Sequence, residues 1–248
     1  MLRRKRVLTS SFGSVLVRSA VVTVALALAA PAAALAAPDS GSSDSGSADF
    51  GSSQGPNIDP NNYAQDCPDV LLLAVSGATD SDSDRNPLNE EAQTIASNWV
   101  GNVTVPVGEA NADSPGTVGW LYVPYSSTYG FDVLDNVPTY QESVREALAG
   151  TNRFLEENKA KCGSSTKFVL LGYSVGAEVM ERLAVDIGSR PATASVTSDD
   201  IAGVALVGDP YRPAGTPSLG QPGPSGGGFM SSEPKDYGTL TPKMKWFC

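Results

Sequence analysis

Five short runs of apolar and β-branched residues punctuate the chain: 70–75 (VLLLAV), 103–107 (VTVPV), 119–123 (GWLYV), 166–171 (TKFVLL) and 201–207 (IAGVALV). Short runs without regular polar alternation suit strands buried on both faces, as in a parallel sheet. The segments between them have a helical period. Residues 89–100 form one. Thr139-Tyr140-Gln141-Glu142 has capping-box spacing, hydroxyl and carboxylate satisfying each other's backbone donors, and predicts a helix to about Asn158. Val175, Val179, Met180, Leu183 and Ile187 make a helical stripe, with Gly188 as its C-terminal stop. Such alternation predicts an α/β fold, three layers α/β/α around a central, mostly parallel sheet. Residues 215–236 are crowded with Gly, Pro and Ser and predict no element. They read equally as a surface loop near a site or as an unordered insertion.

Ahead of the first run the pattern changes. Arg3, Arg4, Lys5 and Arg6 precede an apolar stretch over 20–30, and Ala34-Leu35-Ala36 supplies a small-x-small cleavage site. Residues 1–36 therefore read as a signal peptide. Pro31 and the short, alanine-rich apolar core argue against an uncleaved anchor. The residues around Arg3-Arg4 match twin-arginine export poorly, and no Cys follows the apolar stretch to carry a lipid. Residues 37–65, rich in Ser, Gly and Asp, read as a flexible linker, so the folded domain is expected over 66–248, from about Asp66. The expected location is the secreted fraction or the cell envelope.

Composition narrows the partners. With 248 residues and 41% hydrophobic content, the chain has material for one domain with a real core. A net charge of −10 excludes nucleic acid, which needs clustered Lys and Arg. Loss of a signal peptide would remove Arg3, Arg4, Lys5, Arg6 and Arg18 but no acidic residue, making the remainder more acidic still. The expected protein is a monomer. Its three cysteines, Cys67, Cys162 and Cys248, are an odd number for an oxidising compartment.

The most informative residues are Gly172-Tyr173-Ser174-Val175-Gly176. A bare G-x-S-x-G is weak, but this one follows a strand-like run and opens a helical stripe, the context of a nucleophile elbow. Ser174 is then the catalytic nucleophile, projected above the end of its strand. The glycines leave room where side chains would clash. The backbone N–H of Val175 points where an oxyanion forms, helped by the helix N-terminus. A second donor is expected from the loop after the first strand, Ser76-Gly77-Ala78-Thr79-Asp80, with the N–H of Ala78 first and Thr79 second. Tyr122, Tyr125 and Tyr129 read first as ordinary core and surface aromatics, and second as the lining of an acyl groove.

These residues resemble the cutinase-like family of secreted serine esterases. The resemblance covers roughly 66–248 and is carried by several motifs: Cys67-Pro68-Asp69-Val70 before the first strand, Cys162 before the nucleophile strand, Gly172-Tyr173-Ser174-Val175-Gly176-Ala177, Val207-Gly208-Asp209-Pro210 and Gly227-Gly228-Phe229. It implies a cutinase-like α/β-hydrolase, a Cys67–Cys162 disulfide, and an ester or lipid substrate with short or medium acyl groups. It also implies association with the envelope and no cofactor; no metal-ligand cluster is visible. The chain departs from the family in two places. Ala78 stands where a hydroxyl residue is common, and Val175 where Gln is common.

One residue type is missing. A serine hydroxyl needs a base, ordinarily His held by a carboxylate, and the 248 residues contain no His. The family pattern places the acid and the His after Cys248, beside a second disulfide. The missing His, the odd cysteine and the end at Cys248 are therefore read together as a hydrolase domain without its C-terminal part, nearly inactive as it stands. Asp209 follows the run 201–207, where some hydrolases of this fold keep their acid, but reads first as a turn residue before Pro210. Lys167 is expected at the wrong end of its strand to act as a base, and Glu178 is expected to be solvated. Two other readings compete. One is a non-catalytic envelope-binding protein that kept the fold; the other is an acyltransferase, which shares the acyl-enzyme.

Overall fold

The computed structural model describes residues 67–88, 99–114, 116–130, 137–219, 226–230 and 233–248. All lie in the second of two compact units, Asp49–Cys248. The expected signal peptide (1–36), the linker (37–65) and most of the helix expected over 89–100 fall outside the described residues.

Five strands, β1 (Val70–Val75), β2 (Val118–Tyr122), β3 (Lys167–Tyr173), β4 (Ile201–Val207) and β5 (Met244–Phe247), form one sheet in the order β2-β1-β3-β4-β5. Every pairing is parallel. Parallel strands are buried on both faces because their crossovers lay helices there, which is why these segments read as apolar runs. Side chains alternate accordingly. Leu71, Leu73, Val75, Phe168, Leu170, Val204 and Leu206 share one cluster with Val144, Phe154 and Leu155 of α2 (Tyr140–Cys162) and Val179, Met180 and Leu183 of α3 (Val175–Ser189). Ala74, Tyr122, Leu171 and Val207 turn the other way, onto Val100 and Val103 at the start of α1 (Gly101–Ala110). The result is the expected α/β/α sandwich.

Two local expectations need correction. Residues 103–107 are in α1, not in a strand. Their β-branched residues favour a strand only weakly, and tertiary packing overrides that preference. Val100, Val103, Thr104 and Val107 in fact lie at helical spacing, and Val100 and Val103 pack on the sheet. Gly188 does not stop α3, which runs to Ser189 and is capped by Arg190. A Cβ at Gly188 would lie 2.1 Å from the Tyr237 carbonyl oxygen, so this glycine lets another chain segment cross the helix closely. At the start of α2 the capping box forms: Thr139 accepts from the Glu142 N–H at 3.3 Å, and Glu142 accepts from the Thr139 N–H at 2.8 Å.

Cys67 and Cys162 are joined in a disulfide with a sequence separation of 95, and Cys248 is free and exposed. On chain-entropy grounds a bridge of that span stabilises by about 4–5 kcal/mol. It ties the segment before β1 to the end of α2, at the amino end of the strands, opposite the end that carries Ser174. Among the described residues, no helix is long and apolar enough to cross a membrane.

Candidate active site

The strand order fixes where a site can form. The chain leaves β1 to one side for β2, then returns to the other side for β3. The carboxyl ends of β1 and β3 therefore flank a crevice where the winding reverses, the position ligands take in open parallel sheets. The two loops that carry the expected site residues begin there.

The β3 loop is the elbow. Ser174 sits between the strand and α3 with φ 53° and ψ −116°, a backbone conformation that L-residues rarely adopt. Close packing enforces it. A Cβ at Gly172 would meet the Gly176 carbonyl oxygen at 2.2 Å, and one at Gly176 would meet the Val75 oxygen at 2.0 Å. The Ser174 N–H donates to the Val207 carbonyl at 2.9 Å, so the end of β4 holds the turn from the side. Tyr173 stacks on Trp99 with ring centroids 4.4 Å apart, holding it from the α1 face. Ser174 remains partly exposed while Val175 is buried.

The β1 loop comes up against this turn. A Cβ at Gly77 would lie 3.3 Å from the Ser174 Cβ. Ala78 follows, and no hydrogen bond among the described residues takes its N–H or that of Val175. Thr79 is different. Its N–H donates to the Ser127 carbonyl, and its φ is 62°. Of the two alternatives for the second donor, only Ala78 has its N–H uncommitted.

The remaining candidates fall elsewhere. The Lys167 amine donates to the Asp199 carbonyl at the amino end of the sheet, 3.1 Å away. A lysine not singled out above, Lys243, donates likewise to the Ser198 and Ile201 carbonyls. Tyr122 and Tyr125 are fully buried and hydrogen-bonded, and only Tyr129, at 54%, is exposed. Asp209 makes its turn, accepting from the Tyr211 N–H at 2.9 Å, but its second oxygen also accepts from the Trp246 indole N–H at 2.9 Å. Burial pushes its carboxyl above the usual range.

Glu178 is not solvated: it is 1% exposed. Tyr140 donates to it, and Arg182 pairs with it at 2.6 Å. The correction has a physical cause. α2 packs along α3, so the face of α3 that is covered is wider than its apolar stripe. Sequence reasoning also missed Glu181, fully buried and bonded by Lys235 and Tyr237. Its burial, with Asp209 nearby, raises its carboxyl despite those donors. A charged residue inside an apolar stripe was the available signal. Among the described residues, no cluster could hold a metal ion.

The cutinase family model matches residues 91–234, which include the elbow. The chain belongs to the cutinase family. A curated relative, the carboxylesterase Culp6 homolog of Corynebacterium glutamicum, is 28% identical over 155 residues, 62% of this chain. The chain spans about half of that relative, 47% of its length. Among solved structures, the catalytic core domain of acetyl xylan esterase from Trichoderma reesei superposes with a TM-score of 0.52 at 20% identity, covering 73% of this chain and 82% of that one. An acetylxylan esterase at 0.90 Å gives 0.51 at 21% identity over the same shares. At such identities the likeness speaks for the fold. This cutinase-family chain has the fold's elbow and flanking loop, and its 248 residues contain no His to stand beside them.

Proposed function

We propose that this chain is an exported serine esterase of the cutinase family, built to cleave carboxylic esters through an acyl-enzyme on Ser174. The observation that carries the reading is the strained, partly exposed Ser174 at the N-terminus of α3, with the Ala78 loop against it. Strain of this kind costs about 1–3 kcal/mol and persists where surrounding structure over-determines it, typically at functional sites. The curated relative's name, carboxylesterase, and the disulfide, which suits an oxidising compartment, support the same reading.

The chemistry follows from the geometry. The Ser174 Oγ attacks the ester carbonyl, and the carbonyl electron pair moves onto oxygen. The N–H groups of Val175 and Ala78 receive that oxyanion, helped by the positive end of α3. The tetrahedral centre collapses, the alcohol leaves with a proton, and water later releases the acid and restores the serine. Leu88, Tyr129, Val137, Leu219, Phe229 and Met230 are exposed on connections that leave the carboxyl ends of β1, β2 and β4. Apolar surface on these loops favours lipid-like or short to medium acyl esters.

Proton transfer is the gap. No His is present, and Lys167 and Lys243 are engaged at the other end of the sheet. In a well-studied serine protease, loss of the His costs on the order of a millionfold in turnover. This polypeptide is therefore expected to show at most trace activity unless a base is supplied. The absence of His also supports a second reading, a binding protein that kept the fold.

Hydrolysis of p-nitrophenyl butyrate with and without added imidazole separates the two. The esterase reading expects little turnover alone and an imidazole-dependent gain that Ser174→Ala abolishes. A gain equal in both proteins contradicts it and favours the binding protein. Full turnover without imidazole contradicts the missing base.

A further inference from the structure

Arg85 is the largest fully buried side chain among the described residues, 1% exposed, and it is charged. A buried guanidinium is a poor stabiliser, because leaving water costs as much as its contacts return. Its partners show another use. One nitrogen, Nη1, donates to the Ser76 Oγ at 3.0 Å and to the Asp80 carbonyl at 3.1 Å. These are the two ends of the loop that carries Ala78. The guanidinium also lies over the Tyr122 ring, 4.3 Å from its centroid. That ring is held from α1 by the bond between its hydroxyl and the Thr104 Oγ1, 2.6 Å.

The rest of the loop is secured around this clamp. The Tyr125 hydroxyl reaches the carbonyls of Ser76 and Gly77 at 2.7 and 3.2 Å. The N–H groups of Thr79, Asp80 and Ser81 are taken by the Ser127 carbonyl, the Gly77 carbonyl and the Ser127 Oγ. The N–H of Ala78, next to these tied groups, has no hydrogen-bond partner among the described residues and is open to a ligand. The Asp80 carboxylate accepts from the Trp99 N–H at 2.8 Å, and Trp99 stacks on Tyr173 beside Ser174. A continuous path thus runs from Arg85 through Asp80, Trp99 and Tyr173 to the elbow.

We propose that Arg85 is a positioning residue for the oxyanion site: it closes the 76–80 loop into one conformation and so aims the Ala78 N–H at the oxyanion formed on Ser174. This rests on the reading of Ser174 as the nucleophile.

Two measurements on the 248-residue chain test it. Amide hydrogen exchange at Thr79, Asp80 and Ser81 reads the clamp. Boron NMR titration with butylboronic acid reads the oxyanion site. In that adduct the Ser174 Oγ bonds to boron, a proton leaves to buffer, and the tetrahedral anion mimics the intermediate; Ser174→Ala is the blank. Arg85→Met should speed exchange at those three amides, leave the amides of β3 unchanged, and weaken the adduct about tenfold or more, since small misplacements of catalytic groups carry penalties of that order. Arg85→Lys should recover part of both. Ser76→Ala, which removes one of the two bonds and spares the buried charge, should move both readings in the same direction even if Arg85→Met folds poorly. Adduct affinity unchanged in folded Arg85→Met and Ser76→Ala overturns the proposal, whatever the exchange does. Parent chain that forms no adduct overturns the nucleophile reading and the positioning role with it, and the exchange data show whether the clamp itself stands.

Discussion

At the scale of single residues, the account turns on strain at Ser174. Its φ of 53° and ψ of −116° are tolerable for glycine and costly for any residue with a Cβ. Ser174→Gly should therefore be more stable than Ser174→Ala by about 1 kcal/mol or more, after allowing for the extra entropy of an unfolded glycine. Urea denaturation of the two variants reads the difference directly. Equal stability would mean that the elbow is relaxed. A second residue, Asp82, lies on the β1 loop near the clamp. Burial, followed by the neighbouring Asp84, pushes its carboxyl from 3.8 up to about 6. The sign follows. Below pH 3.8 the carboxyl is protonated in both states and costs nothing. As pH rises the unfolded chain ionises first, so stability is lost through the window up to about 6. The stability of Asp82→Asn relative to the parent should thus grow across that window, measured by denaturation at a series of pH values. A pH-independent difference would refute the shift.

At the scale of elements, the elbow is a packing problem shared by β1, β3 and α3. A Cβ at Gly176 would lie 2.0 Å from the Val75 oxygen, whereas one at Gly203, in β4, would lie 3.9 Å from the Lys243 oxygen. Gly176→Ala should cost about 3 kcal/mol, at the upper end for overpacking, and Gly203→Ala close to nothing. Thermal unfolding of the pair checks this; equal losses would contradict the close approach. What could be read from the amino acids divides along the same line. β1 and β4, the capping box at Thr139 and the strand-turn-helix at Ser174 are set by neighbours in sequence, so local pattern exposes them. α1 was misread because Val103, Thr104, Val105 and Val107 are β-branched and their helix is imposed by the sheet it covers. Glu178 and Glu181 were hidden because α2 and Tyr237, distant in the chain, bury them. The Arg85 clamp was illegible for a similar reason: its loop is tied to Tyr125 and Ser127, more than forty residues away.

At the scale of the whole molecule, the sheet brings a strained serine and an uncommitted N–H to its winding reversal, in a chain without a His. On the proposed reading, Ser174 is the nucleophile and the N–H groups of Val175 and Ala78 form the oxyanion site, while the 248 residues offer no His for proton transfer. The cutinase family model spans the elbow, and the acetyl xylan esterase likeness fits the fold. The central claim, that Ser174 is the nucleophile, is tested most directly by covalent mapping. The chain would be treated with a p-nitrophenyl alkylphosphonate in the presence of imidazole and then digested for peptide mass spectrometry. The Ser174 oxygen should displace p-nitrophenolate from phosphorus, giving up its proton to imidazole, so that the adduct is found on the peptide carrying Ser174 and is lost in Ser174→Ala. An adduct distributed over other serines and tyrosines, with Ser174 unmodified, would contradict the account.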